Sequence, residues 1–294
     1  MIDTASKRRK LADLIRSKEY FAAPGIFDMI STRMADSMGF ECLYMTGYGA
    51  TASYLGLPDA GIATYTEMAN RVRAMAETAT TPIIADADTG YGGLLNMHHT
   101  VRGYESAGVC GIQIEDQESP KKCGHTPGRR VVPLADMVTR IKVAVDARID
   151  DNFMIVARTD SRTGLGIDHA IERGQAFAEA GADVVFIESP ESQQEFEQIG
   201  REIDAPLVAN MAEQGRSPLL DQATLKTCGF AFAIFPSCGF LAAAQALQGV
   251  YSHLHENGST AGTTQPLYPF AEMNTLMGFE DVWAFDKKWA QDQD

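Results

Sequence analysis

The stretch Pro82-Ile83-Ile84-Ala85-Asp86-Ala87-Asp88-Thr89-Gly90-Tyr91-Gly92 opens apolar, turns acidic and closes on glycines. A short apolar run bounded by turn residues predicts a strand covered on both faces, with its polar groups delivered at the C-terminal end. The pattern recurs on both sides. Strands are predicted at Phe21–Asp28, Glu41–Gly47, Pro82–Asp88, Gly111–Gln117, Phe153–Asp160, Asp183–Ser189, Pro206–Met211 and Phe230–Pro236, alternating with longer helical patterns. Eight strands alternating with helices in 294 residues predict the α/β class and a closed parallel (β/α)8 barrel, the TIM barrel. Gly39, Gly108, Gly181 and Gly229 each follow a helical stretch and precede a strand, where glycine accepts the left-handed conformation that ends a helix.

Two features lie outside the repeat. An amphipathic N-terminal stretch, Ser6–Ser17, is suited to cap the barrel bottom. After a helix near Gly239–Glu256 come a Gly/Thr-rich linker, Asn257–Gln265, and a final helical stretch, Phe270–Gln293. Residues 1–294 therefore read as a single barrel domain, with 257–294 a linker and helical extension able to pack on a neighbouring subunit.

A formal net charge of −14 argues against nucleic-acid partners. The five cysteines, Cys42, Cys110, Cys123, Cys228 and Cys238, have neither disulfide nor zinc spacing, and reduced thiols in the cytoplasm are expected. The N-terminus is charged throughout, with no apolar signal segment, and no run is apolar enough to span a bilayer.

Barrel enzymes work at the C-terminal ends of their strands. Those ends hold Tyr44-Met45-Thr46-Gly47-Tyr48-Gly49, Asp86-Ala87-Asp88, Glu115-Asp116-Gln117, Arg158-Thr159-Asp160, Glu188-Ser189, Asn210-Met211 and Pro236-Ser237. Polar residues are ordinary where strands meet solvent, but so many carboxylates converging with one arginine are not. Asp86 and Asp88, two apart on a strand, are expected to share a face, with Glu115 ending the next strand. A lone aspartate there would read as a turn cap; the set reads as hard oxygen ligands for Mg2+. The polar, glycine-containing stretch from Asp116 to about Pro133 reads as a mobile lid. Within it Cys123 lies among Lys121, Lys122 and His125, cations expected to lower its thiol pKa. Most cysteines are inert, and Cys42 and Cys110 sit in apolar surroundings; Cys123 is the catalytic candidate. His98 and His99 read as surface or packing residues, and Gly90 and Gly92 as turn residues rather than a phosphate loop.

The segments Asp86-Ala87-Asp88-Thr89-Gly90-Tyr91-Gly92, Lys121-Lys122-Cys123-Gly124-His125 and Ala157-Arg158-Thr159-Asp160 resemble the signatures of the isocitrate lyase/phosphoenolpyruvate mutase superfamily. The resemblance runs from Ala23-Pro24-Gly25 to the C-terminal helix, and the cysteine segment marks the lyase branch rather than the phosphonate mutases. It implies a C-terminal helix exchanged between subunits of a homotetramer. It implies Mg2+, with Mn2+ as a substitute, held through Asp86, Asp88 and Glu115 and supported by Asp59. It implies substrate contacts from Tyr44, Thr46, Gly47, Tyr48, Gly124, Arg158, Glu188 and Asn210, and a catalytic set of Cys123, Arg158, Lys121 and His125.

One departure bears on the substrate. Relatives that cleave the tricarboxylate 2-methylisocitrate carry an arginine where this chain has Leu241, in Pro236-Ser237-Cys238-Gly239-Phe240-Leu241, and a hydroxyl-bearing residue where it has Ala212. The expected substrate is a small 2-hydroxy dicarboxylate such as 2,3-dimethylmalate, cleaved at a carbon–carbon bond. The alternatives are oxaloacetate hydrolysis to oxalate and acetate, 2-methylisocitrate cleavage and, less fitting, phosphonate mutation.

Overall fold

The computed structural model describes residues 3–126 and 128–290. Eight parallel strands close into one barrel in sequence order, β1 (Phe21–Ile26), β2 (Leu43–Met45), β3 (Ile83–Asp86), β4 (Gly111–Glu115), β5 (Met154–Thr159), β6 (Val184–Ile187), β7 (Leu207–Asn210) and β8 (Phe232–Phe235). Each falls inside its predicted segment and is shorter at the ends, because the flanking residues leave the ladder to form loops. β1 closes the ring against β8, with Phe21 opposite Phe232 and Pro24 opposite Phe235. The predicted helix stops hold: Gly39, Gly108, Gly181 and Gly229 have φ between 77° and 101°.

Strand alternation splits the apolar residues into two cores. One lies between strands and helices, and includes Ile83, Ala85, Ile112, Ile114, Ile155, Ala157, Val185 and Ile187. The other fills the barrel and includes Phe21, Tyr44, Ile84, Met154, Val156, Val184, Phe186, Val208 and Phe232. Continuing the inward parity toward the C-terminal ends gives Asp86, Gln113, Glu115, Arg158, Glu188 and Asn210. The barrel interior is therefore apolar at its floor and charged at its mouth.

Helix Thr4–Ser17 plugs the floor, inserting Leu11, Ala12 and Ile15 into the inner core. Its cations end on backbone carbonyls: Lys7 Nζ donates to Ala79 O at 2.6 Å, and Arg8 donates to Val109 O and Glu105 O at 3.1 and 2.5 Å. Asp3 caps its first turn by accepting from Ser6 N at 3.0 Å.

The chain divides into two compact units, one running to Phe240 and one from Leu241 onward, with helix Cys238–Asn257 straddling the division. The second unit contains helices Phe270–Met277 and Phe279–Trp289, separated at Gly278 (φ 87°). The final stretch predicted as one helix is thus two, and Gln291–Gln293 lie outside the described residues. No residue of these helices is buried, and Phe270, Trp283, Phe285 and Trp289 are exposed.

Candidate active site

The mouth is built around Arg158 on β5. Its Nε and Nη2 donate to the two oxygens of Asp160 at 2.9 Å each. Nη1 stands 3.4 Å from Glu115 of β4, and Nη2 3.4 Å from Glu188 beyond β6. Phe186 supports the guanidinium from below, 5.2 Å from ring centroid to Cζ. Three carboxylates thus surround one buried arginine.

Lys121 forms the second centre. Its ammonium, 4% exposed, bonds Asp59 and stands 2.7 Å from Asp88 Oδ1. Burial pulls the ammonium toward neutrality, but Asp88 and Asp59 outweigh it and hold its pKa well above the usual lysine value. The expectation that Asp86 and Asp88 share a strand face is overturned. β3 ends at Asp86, and Asp88 lies in the following turn with φ 49°, its backbone N donating to Asp86 Oδ1 at 3.0 Å. The turn, not the pleat, sets their geometry. Asp88, Tyr91, Ser189 and Gln214 all take the left-handed conformation just beyond strand C-termini, where functional sites store backbone strain.

Burial pushes the mouth carboxyls up: Asp88 to about 7, Asp86 above its ordinary value and Glu115 well above. Lys121 opposes the shift at the two aspartates and Arg158 at Glu115. Six buried carboxylates, Asp59, Asp86, Asp88, Glu115, Asp160 and Glu188, face three cations, Lys121, Arg129 and Arg158. Among the described residues no three carboxylate, histidine or cysteine side chains gather closely enough to ligate an ion by themselves. Such a set suits a hard cation that keeps most of its water and takes one or two carboxylates directly.

The lid lies against this mouth. Cys123 N donates to Asp59 O at 3.0 Å, and Ser189 Oγ donates to Gly124 O at 3.2 Å. A Cβ on Gly124 would strike the Arg158 guanidinium and the Glu188 side chain, so only glycine lets the lid settle there. His125 stands 3.7 Å from Glu188 through Nε2, and Arg216 N donates to its Nδ1 at 3.4 Å. The thiol expectation fails on its cause. Lys122 turns away to Gly128 O and Lys121 is spent on carboxylates. Burial of Cys123 then pushes its thiol pKa up rather than down.

The other predicted residues divide. Asn210 donates to Glu188 at 3.0 Å, and its buried Oδ1 has no partner among the described residues. Gly47 begins helix Gly47–Leu55 so close to Asp86 that a Cβ would meet the carboxylate. Thr46 caps that helix, and Tyr48 is exposed beside Phe240, 5.1 Å between rings. The Tyr44 hydroxyl points across the barrel to Gln113 Oε1 at 2.5 Å, and Gln113 Nε2 donates to Asp86 at 3.3 Å. Sequence reading passed over Gln113, though a glutamine inside the apolar run Gly111–Glu115 was a signal. Asp160 stands at a predicted strand end and in a signature segment but was given no role, and Arg129 was passed over, since an arginine in a polar loop looks like surface.

Comparison with known proteins gives the family. The family described as phosphoenolpyruvate phosphomutase matches residues 11–255. The chain belongs to this family, within the isocitrate lyase/phosphoenolpyruvate mutase superfamily. Over 289 residues it is 46% identical to a 2,3-dimethylmalate lyase of Eubacterium barkeri, covering 98% of this chain and 99% of the relative. A 2-methylisocitrate lyase of Aeropyrum pernix is 40% identical over 271 residues, 92% of this chain and 87% of that one. A solved oxaloacetate acetylhydrolase, bound to the inhibitor 3,3-difluorooxalacetate, is similar with a TM-score of 0.92 and 34% identity over 99% of both chains.

Proposed function

We propose that this protein is a carbon–carbon lyase that cleaves a small 2-hydroxy dicarboxylate, an alkylmalate resembling 2,3-dimethylmalate, into a 2-oxo acid and a carboxylic acid. The observation that carries the reading is the excess of buried carboxylate at the barrel mouth, set beside one arginine and one lid thiol. Similarity over the whole chain to a 2,3-dimethylmalate lyase supports the choice of substrate class.

Mg2+, with Mn2+ as a substitute, fits the donor chemistry of Asp86, Asp88 and Glu115, with Asp59 behind them through Lys121. When bound, it supplies a Lewis acid for the substrate carboxylate and 2-oxygen. The protein's own groups do the rest. A base at the mouth takes the 2-hydroxyl proton, the bond between C2 and C3 breaks, and its electron pair becomes an enolate on the departing acid. Arg158 presents charge-assisted donors to that anion. Cys123, kept as a neutral thiol by burial, gives its proton to the enolate carbon. Lys121 holds the acidic loops together, and His125, with Asn210 and Glu188, lines the opposite wall. With 2,3-dimethylmalate the products balance as pyruvate and propionate.

The second reading is oxaloacetate hydrolysis to oxalate and acetate, favoured by the likeness to the solved acetylhydrolase. Incubation with Mg2+ and a panel of 2,3-dimethylmalate, 2-methylisocitrate and oxaloacetate, with products identified by NMR, separates the readings. Turnover of none of the three would overturn both.

The exposed aromatics of the second unit, Phe270, Trp283, Phe285 and Trp289, support the reading of a helix exchanged between copies in a homotetramer. Size measurement in solution checks this. Among the described residues no helix is long and apolar enough to cross a membrane, and the five free cysteines suit a reducing cytoplasm.

A further inference from the structure

Arg129 lies on the return arm of the lid, in a stretch whose neighbours Gly128 and Arg130 are exposed, yet its own side chain is only 2% exposed. An arginine buried in a surface loop is costly unless its charge is matched. Arg129 Nη1 donates to Asp160 Oδ1 at 2.6 Å, and Nη2 donates to Thr163 Oγ1 at 2.6 Å. Asp160 Oδ1 is the same oxygen that accepts from Arg158 Nη2 at 2.9 Å. Two guanidinium groups, one from the lid and one from the barrel wall, therefore share one carboxylate.

The arm is anchored on the C-terminal side of this contact. Gln117 pairs with Val131 in an isolated antiparallel bridge, and Glu118 N donates to Arg130 O at 2.8 Å. Val132 N donates to Asp116 O at 2.9 Å, while Arg173 ties Asp116 and Val132 O together at 2.8 and 2.9 Å. Asp116 Oδ1 in turn accepts from Asp160 N at 2.9 Å, so the backbone beneath the shared carboxylate is held as well.

We infer that Arg129 is a positioning residue that couples the lid to the substrate-binding arginine through the shared carboxylate of Asp160. When the lid is down, Arg129 takes part of the Asp160 charge and leaves Arg158 freer to meet an incoming anion. When the lid lifts, Asp160 falls back on Arg158 alone and the anion site is quenched. Lid closure and anion affinity then rise and fall together. The lid consequence stands on the geometry alone, and the turnover consequence rests on the function proposed above.

The test compares wild type, Arg129→Lys and Arg129→Met. Alkylation of Cys123 by iodoacetamide, followed by peptide mass spectrometry at one pH, reads the open lid. Oxalate is the probe for closure by an anion. Arg129→Met is expected to be alkylated at least about tenfold faster, the order set by losing a charge-assisted hydrogen bond from the closed state, and to lose most protection by oxalate. Arg129→Lys, which keeps the charge but cannot hold Asp160 and Thr163 together, falls between. On the best dicarboxylate, Arg129→Met raises KM and lowers kcat, and the lysine variant recovers part of both. Equal alkylation and equal oxalate protection in the folded proteins would overturn the coupling. If Arg129→Met does not fold, the lysine variant decides by the same two readouts. If wild type turns over no dicarboxylate, the proposed function fails while alkylation still judges the coupling.

Discussion

The floor and the mouth of this barrel use the same strands and the same inward parity, yet they treat charge in opposite ways. At the floor, Lys7 and Arg8 donate to backbone carbonyls, and Arg8 is also matched by Glu105 and Asp150 at 3.7 and 3.5 Å, around a plug of Leu11, Ala12 and Ile15. There the cations are matched by carbonyls and carboxylates already in place. At the mouth, Lys121 and Arg158 end on carboxylates that outnumber them, and Asn210 Oδ1 has no partner among the described residues. Buried charge without full compensation is unstable unless something else arrives. The floor is therefore built for stability and the mouth for a ligand.

If that contrast holds, changes at the mouth remove activity and spare the fold, while changes at the floor do the reverse. Asp88→Ala is expected to have the largest effect, lowering kcat/KM by more than about a thousandfold, roughly 4 kcal/mol of transition-state stabilisation. Mn2+ binding followed by electron paramagnetic resonance should weaken in parallel, and EDTA should silence the wild type. Full turnover by a metal-stripped sample would break the comparison at its most important point.

Cys123→Ser comes next. A serine hydroxyl is a far weaker acid, so turnover should drop by about a hundredfold or more, the scale of a lost general acid. Circular dichroism and the melting temperature should stay near wild type. Native kcat in this variant would remove the thiol from the proton-delivery role.

Substrate choice sharpens the contrast further. The sequence reading of Leu241 and Ala212 expects no partner for a third substrate carboxylate, whose unpaired burial would cost several kcal/mol. A four- to six-carbon dicarboxylate should be preferred over 2-methylisocitrate by at least about a hundredfold in kcat/KM. Leu241→Arg should narrow the gap. Efficient cleavage of 2-methylisocitrate alone would show that the pocket is built for three carboxylates.

The smallest effect on turnover is expected at the floor. Leu11 is fully buried, and Leu11→Ala should cost about 2–5 kcal/mol of stability through the cavity it leaves. Urea denaturation measures that loss, and kcat below the melting transition should not change. A variant equally stable but inactive would mean that floor and mouth are not separate.

The barrel was legible because strand period and glycine stops are local signals. Each strand carries its own short apolar run, and Gly39, Gly108, Gly181 and Gly229 end helices by their own backbone conformations. Asp86, Glu115, Arg158 and Glu188 were legible for the same reason: they sit at or just beyond the ends of recognisable strands, whereas Asp59, Lys121 and Arg129 lie on loops. The reasons assigned to Asp88 and Cys123 were not. Asp88 works from a left-handed turn rather than from the strand, and a short turn's φ cannot be read from alternation. Cys123 has cationic neighbours in sequence, but those cations point elsewhere and burial raises its pKa instead.

The amino-acid sequence by itself determined the strand count, the closed barrel and the residue types that meet at the mouth, because periodicity acts over a few residues at a time. Only the tertiary structure decided which charges share partners. Lys121 meets Asp59 across 62 positions of chain, and Arg129 meets Asp160 across 31. Such pairings depend on how loops from different strands come to rest over one barrel, and on how much water they exclude. Both are properties of the packed whole, and no single segment encodes them.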